Sequence, residues 1–583
     1  MTAPKFSARG LAVTPGLLIF LLLFSGCRED ATPAAIAGDP ALCKAKSVAI
    51  ARVQGKDWRS PLEGSQQSVA GVVTAVEEDE GFYLEESGEI EPGASRALFV
   101  ATPELAAHAE PGQHWFVTGT VMESGSARDT LTSVVDLQAF AVCAEGLPLP
   151  KTSATVPLSS AHREALEGMR LAFDQDFFVS DVYQHHRGTV SLSIGEDLRS
   201  ATEDGPPGEA AARVNRANRE RTLATHLPGP VETPLAVGSR AGSVLGVFGH
   251  DGRNAVLLAE DISELEPLGL PEPFPAAADG DIRVVIANLL NFFNGDGRGD
   301  GFPAERGARS LEEFEQQQTR TAAVMAQLRP DLLAVQELEN DGYGPQSAAA
   351  SLLQVIEGST REDYAVIEAP GGDYLGNDVI SVGLFYRKST LEPVGRPHTL
   401  TAEPFLERSR QPLAQVFRDL ASGETFLVAV NHLKSKGSCP DDGPNRNRRD
   451  GQGCWNVVRT ESVNELLPWL EELASATNTD KVLVVGDMNA YRREDPIERF
   501  RAGGFTELVE TLSGLPQYSV RFYGQAGTLD YAFASPTLAA LASRADIWPI
   551  NADWPPRMDL PRPWLRMSDH DPVVVDLDFQ NRP

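Results

Sequence analysis

Lys481-Val482-Leu483-Val484-Val485-Gly486-Asp487-Met488-Asn489 is an apolar run that stops at a carboxylate and an amide two residues apart. Four consecutive branched residues suit a strand buried on both faces, as in a sheet covered by helices. Residues 282–287, 332–335, 426–430 and 573–575 repeat the pattern. Between the first two lies a helix. Ser310 and Glu313 form a capping box, Leu311, Phe314, Thr321, Val324, Met325 and Leu328 give the apolar face, and Pro330 ends it. Residues 276–583 therefore read as an α/β domain.

Each run borders polar residues of a catalytic type. Asn288 follows the first, Gln336-Glu337 the second, Asn431-His432 the third, and Asp569-His570-Asp571 precedes the last. Strand ends on one rim of an open α/β sheet are where sites are built. The set suits hydrolysis of a phosphate ester. Glu337 can hold a hard divalent cation that polarises a phosphoryl oxygen. Asp487 can activate a water while Asn489 donates to phosphate. Asp530, in Gly527-Thr528-Leu529-Asp530-Tyr531, is a partner to orient His570.

Asn288 in IANLLNFF, Glu337 in LLAVQELEND, His432 in VNHLKSKG, Asp487 and Asn489 in VVGDMNA, Asp530 in TLDYAFAS and Asp569-His570 in SDHDPVVVDL occur in a specific order. That ordered set, over 282–578, resembles the endonuclease/exonuclease/phosphatase superfamily. The resemblance implies a four-layer α/β/β/α sandwich with Mg²⁺ (or Mn²⁺ or Ca²⁺) in the cleft. It assigns Glu337, Asn288 and Asp569 to the metal, and His432 and His570 to the scissile phosphate, with Asp530 orienting His570. Asp487 and Asn489 activate water and hold phosphate. It also implies a second carboxylate beside His432, for which Glu339 is the candidate. A closer resemblance, to bacterial extracellular nucleases of the ExeM/NucH type, extends to AIARVQGKDWRSPLEGSQQSVAGVVTAV, RGARSLEEFEQQQTR, SRQPLAQVF and GSCPDDGPNRNRRDGQGCWN. The expectation is a nuclease cutting DNA or RNA, with a lipid- or inositol-phosphate esterase as the alternative.

The net charge of −31 repels polyanions at long range, so nucleic acid has to be held by a local patch and by metal. That patch follows His432: Lys434, Lys436, Arg446, Arg448, Arg449 and Arg459 stand against Asp441, Asp442 and Asp450, with Arg408 and Arg410 nearby. Such cations fix the register of a phosphate backbone without reading sequence.

Ahead of the α/β domain, residues 43–145 read as an OB-like β-domain, with strands at 69–74 and 115–121. Residues 146–275 are a β-rich linker domain, with strands at 190–193 and 244–248. His185-His186 would point to opposite faces of a strand, a poor metal pair. Lys5, Arg9, the apolar run 17–24 and Ser25-Gly26-Cys27 read as a lipoprotein-type signal over 1–27. Cys27 is then the acylated anchor and 28–42 a tether, which places the protein in the cell envelope, at the outer membrane or cell surface, or outside the cell. No obligate protein partner is evident. The four other cysteines allow three pairings, of which proximity favours Cys43–Cys143 and Cys439–Cys454.

Overall fold

Two βαβ crossovers organise the C-terminal half. The computed structural model describes residues 38–88, 92–126, 129–195, 197–230, 234–251, 254–514 and 516–580. Cys27, the export segment and most of the tether lie outside these. Strand Ile282–Phe292, helix Leu311–Leu328 and strand Leu332–Glu339 make the first crossover, with the strands parallel from Val284↔Leu332 to Asn288↔Gln336. Strand Thr425–His432, helix Asn456–Ala476 and strand Val482–Asp487 make the second, parallel from Leu427↔Val482 to His432↔Asp487. Every other strand pair in the two sheets is antiparallel.

Each parallel pair is the centre of a six-stranded sheet. The first sheet runs Tyr364–Val366, Ile380–Arg387, Leu332–Glu339, Ile282–Phe292, Val573–Leu577, Ala542–Ile547. The second runs Leu391–Thr399, Leu413–Asp419, Thr425–His432, Val482–Asp487, Asp530–Ala534, Thr506–Glu507. Alternate residues of the central strands enter different cores. Val284, Ile286, Val428, Val430, Leu483 and Val485 fill the space between the sheets. Val285, Leu333 and Val335 meet helices Leu311–Leu328 and Ala348–Thr360 through Val324, Met325 and Leu352. Leu427, Ala429 and Val484 meet Val463, Leu466 and Leu470 of helix Asn456–Ala476. The four layers are thus helix, sheet, sheet, helix. Ser310 Oγ accepts from the Glu313 N–H at 3.2 Å, but Glu313 turns its carboxylate to the Arg309 N–H, so only half of the capping box forms.

Strands Gln66–Glu77, Gly81–Glu85, Ala97–Ala101, Asp129–Ala144 and His114–Ser126 close on themselves in that spatial order. Trp115 and Phe82 lie fully buried inside this ring. Cys43–Cys143 ties the N-terminal turn Pro40–Lys44 to its last strand. Residues 152–262 contribute an eight-stranded sheet, more regular than their sequence signals. His185-His186 lie on a 3₁₀ turn, His185–Arg187, rather than on a strand. His185 is buried and its Nε2 accepts the Leu235 N–H at 3.2 Å, which is a structural role. Among the described residues, no helix is long and apolar enough to cross a membrane.

Candidate active site

Register delivers the site. His432 is paired with Asp487, and Asp487 with Asp530, so three functional side chains stand in one row across neighbouring strands of the second sheet. Asn288 and Glu337 end the matching pair of the first sheet. Here both strands depart from regular geometry. The Asn288 and Glu337 strands shift register between Asn288 and Phe292, and Leu290, Asn291 and Glu337 all have positive φ, at 52°, 56° and 61°. Such backbone is held only where surrounding contacts over-determine it. The Asn291 N–H holds Glu337 Oε2 at 3.0 Å, and the Leu290 N–H holds Asn288 Oδ1 at 2.9 Å. Gly486, at φ 123°, lets the second pair close, because a Cβ there would run into the Asn431 carbonyl oxygen.

One amide joins the two sheets. Asn288 Nδ2 lies 3.2 Å from Glu337 Oε1 and 3.5 Å from Asp487 Oδ2. Asp487 Oδ1 accepts the Asn489 N–H at 2.8 Å, while Oδ2 is 3.4 Å from His432 Nε2. Asn489 Nδ2 donates to the Leu433 carbonyl at 3.1 Å, which leaves its second amide hydrogen for a ligand. His570 Nδ1 lies 2.7 Å from Asp530 Oδ2, and Ser519 Oγ donates to that same oxygen at 2.6 Å. Asp487, Asp530 and His570 offer ligand atoms within 4.8 Å of one another.

Burial alone would lower the proton affinity of His570. Asp530, by charge and hydrogen bond, then Asp569 and Asp487, raise it well above the usual imidazole range. That charge set favours the imidazolium form of His570, which suits it to donate to a phosphoryl oxygen. His432 differs. Burial first, then the charges of Arg410, His570, Lys434 and Arg306, push it well below the usual range, and its Nδ1 has no hydrogen-bond partner. Glu339, the expected carboxylate for His432, instead accepts the Asn294 N–H at 3.1 Å. Asp487 takes that place, and His432 is a neutral imidazole rather than a protonated donor.

The donor set fits a hard cation. Glu337 is pushed up by burial and then by the charge of Asp569, so two half-buried carboxylates repel each other. Asp487 is likewise pushed up, by burial and then by Asp530, and Asp530 Oδ1 is buried without a partner. Clustered carboxylate oxygens of this kind are the ligands that Mg²⁺, Mn²⁺ and Ca²⁺ take.

The basic loop divides. Arg446, Arg448 and Arg449 are exposed. Lys434 and Arg408 flank the Trp455 ring, with cations 5.3 and 5.5 Å from its centroid. Arg410 is half-buried, 3.1 Å from Asp378 and donating to the Leu433 carbonyl at 3.2 Å. Two expected substrate cations are structural instead. Arg459 is fully buried, donating to the carbonyls of Lys434, Gln452 and Cys454. Lys436 is tied to buried Glu494. Cys439–Cys454 closes this loop.

Sequence reading missed two supports. Ser519 and Asn551 lie outside every motif, yet Ser519 holds Asp530, and Asn551 Nδ2 donates to the His570 carbonyl at 2.6 Å. Asp571, beside the predicted pair, anchors the same loop by accepting the Asn551 N–H at 2.6 Å.

Residues 287–570 match the model of the Endonuclease/Exonuclease/phosphatase family. Members of the family are hydrolases of phosphodiester or phosphate ester bonds. Among solved structures, the human Nocturnin catalytic domain with bound sulfate is 19% identical, with TM-score 0.34, over 52% of this chain and 95% of that one. A Bacteroides thetaiotaomicron mannosyl-6-phosphatase is 18% identical, with TM-score 0.35, over 51% and 100%. D. rerio TDP2 complexed with single strand DNA product is 14% identical, with TM-score 0.32, over 51% and 99%. No curated protein matches the chain.

Proposed function

We propose that this protein is an exported, metal-dependent nuclease of the ExeM/NucH type that hydrolyses phosphodiester bonds of DNA or RNA. The observation that carries the reading is the row His432–Asp487–Asp530 facing Asn288 and Glu337 across one cleft, with exposed arginines on the adjoining loop. Glu337 and Asp569, with Asn288 beside them, would hold a divalent cation, which would supply Lewis-acid polarisation of a phosphoryl oxygen. Asp487, its proton affinity raised towards neutrality, takes a proton from the attacking water as the water oxygen bonds to phosphorus and the P–O bond to the leaving sugar oxygen breaks, that oxygen gaining its proton from solvent. His570, held protonated by Asp530, donates to a non-bridging phosphoryl oxygen. Neutral His432 and the free hydrogen of Asn489 orient the phosphate.

Export is supported by the N-terminal pattern ending at Cys27 and by the two disulfides, which persist outside a reducing cytoplasm. The closed five-stranded ring, with strand Ala97–Ala101 parallel to Asp129–Ala144, supports the OB-like reading of residues 43–145.

The test is incubation of the purified protein with supercoiled plasmid, RNA and sphingomyelin, each with divalent cation and with chelator. Cleavage of plasmid or RNA only with cation is expected. Turnover of sphingomyelin alone would move the activity to lipid phosphates and overturn the reading.

A further inference from the structure

A cleft of about 990 Å³ separates the middle region from the catalytic domain. One wall is helix Glu209–Glu220, which presents Arg216 and Arg219, both exposed. The other is the disulfide loop with Arg449. The floor holds Lys436 and Tyr491, four residues past His432 and two past Asn489, so it continues the strand ends that build the active site. The walls are fastened to each other. The Gly208 N–H donates to the Asp450 carbonyl at 2.7 Å, and the Ala526 N–H to the Leu198 carbonyl at 2.7 Å.

Charge here runs against the whole molecule. Glu220 is the one carboxylate among the described residues lining the cleft, and among the described residues none pairs with Arg216, Arg219 or Arg449. In a chain of net charge −31, such an unneutralised cluster needs a reason.

The end of the cleft is stranger. Strands Val520–Phe522 and Gln525–Gly527 form a hairpin that springs from Ser519, whose hydroxyl holds Asp530 of the catalytic row. Its two-residue turn, Tyr523-Gly524, has φ of 49° and 73°. Positive φ at both positions defines a turn that favours Asn or Asp first, and an aromatic there is strained. Yet Tyr523 is 80% exposed, and Phe522 beside it 62%. Neither ring is repaid by burial.

We propose that this cleft binds a single-stranded segment of the nucleic-acid substrate, with phosphates on Arg216, Arg219 and Arg449 and unstacked bases on Phe522 and Tyr523. Exposed rings beside a cationic groove are the combination that holds single strands without sequence preference. A duplex, whose bases stay stacked, gains only the charge contacts. The middle region thereby becomes part of the substrate site. This rests on the nuclease reading above.

Fluorescence anisotropy of labelled dT15, and of a duplex of the same length, with the full chain in EDTA tests it. Arg216→Gln/Arg219→Gln is expected to weaken dT15 binding about tenfold. It should also flatten the salt slope by about 1.4, at roughly 0.7 per phosphate contact. Phe522→Ala/Tyr523→Ala is expected to weaken dT15 binding about tenfold with the slope unchanged, and to leave duplex binding within about twofold. Hydrolysis of bis(p-nitrophenyl) phosphate, too small to reach the cleft, should stay at the wild-type rate in both and so reports an intact fold. Wild-type dT15 affinity in both variants, or no dT15 binding by the wild type, overturns the proposal. Failure of the plasmid and RNA assay sinks the nuclease reading, whereas cleavage with unaltered dT15 binding in the variants sinks only the cleft.

Discussion

His570 and Asp530 face each other at 2.7 Å, Nδ1 to Oδ2, although 40 residues separate them and Asp530 opens a strand of the second sheet while His570 lies on the loop before the strand Val573–Leu577 of the first. Asp530 is fixed from behind by Ser519, and the His570 carbonyl by Asn551, so the pair is clamped on both sides. Asp530→Asn keeps the shape but removes the charge that holds His570 protonated. Turnover of plasmid is expected to fall roughly 10²–10⁴-fold, with the thermal transition close to that of the wild type. Full activity in this variant would remove His570 from the chemistry.

A second relationship crosses domains. Glu203 of the middle region is buried against Arg492, Nε to Oε1 at 2.8 Å, and also takes the Thr528 N–H at 3.0 Å. Arg492 pairs in turn with Glu507 at 2.7 Å. Losing Glu203 leaves Arg492 with Glu507 alone and strands the buried Thr528 N–H, an unsatisfied donor that costs roughly 1–3 kcal/mol. Glu203→Ala should therefore lower the melting temperature of the catalytic domain, read by calorimetry. A domain that melts as before would mean that the middle region lends it no support.

The division of the basic loop predicts opposite phenotypes. Arg459→Ala removes a buried guanidinium that gathers three carbonyls, and should destabilise the domain while leaving the salt slope of DNA binding in place. Arg446→Gln/Arg448→Gln should leave stability within about 0.5 kcal/mol and reduce that slope by about 0.9 for each lost phosphate contact. Equal behaviour of the two variants would contradict the assignment.

Glu167 makes a pH-dependent joint between the ring and the middle sheet. Its Oε1 accepts from Gln54 Nε2 at 3.0 Å and from the Thr132 N–H at 2.9 Å, and its Oε2 is buried without a partner. Burial pushes its carboxyl up to about 8. A folded value above the unfolded one means that the native state binds the extra proton, so stability falls as pH rises from about 4.5 to about 8. Glu167→Gln should abolish that decline and add roughly 2–4 kcal/mol at pH 8, measured by denaturation at pH 5 and pH 8. The same slope in the variant would place the titration elsewhere.

The catalytic half was legible because its signals are local. Runs such as Val482–Val485 report burial on both faces, and although polar residues often end strands, five of a catalytic type in one domain are hard to explain as caps. Where position depends on distant partners, the reading stopped short. Nothing near Ser519 or Asn551 in the sequence shows that they clamp Asp530 and His570. Lys436 and Arg459 have the same composition signal as Arg446, and only the fold separates buried cations from exposed ones. For the carboxylate beside His432 the sequence offers Glu339, two residues past Glu337. Register supplied Asp487 from the adjacent strand. The middle sheet was obscure because its strands pair out of chain order, Thr222–His226 lying parallel to Ala255–Ile262.

Glu337 and Asp569, with Asn288 beside them, are proposed to hold the divalent cation, and the Mn²⁺ dependence of plasmid cleavage probes that most directly, comparing wild type with Glu337→Gln. The expected result is no cleavage in EDTA, and a Mn²⁺ midpoint raised more than about tenfold in the variant. Cleavage that persists in EDTA, or a midpoint unmoved by Glu337→Gln, would contradict it.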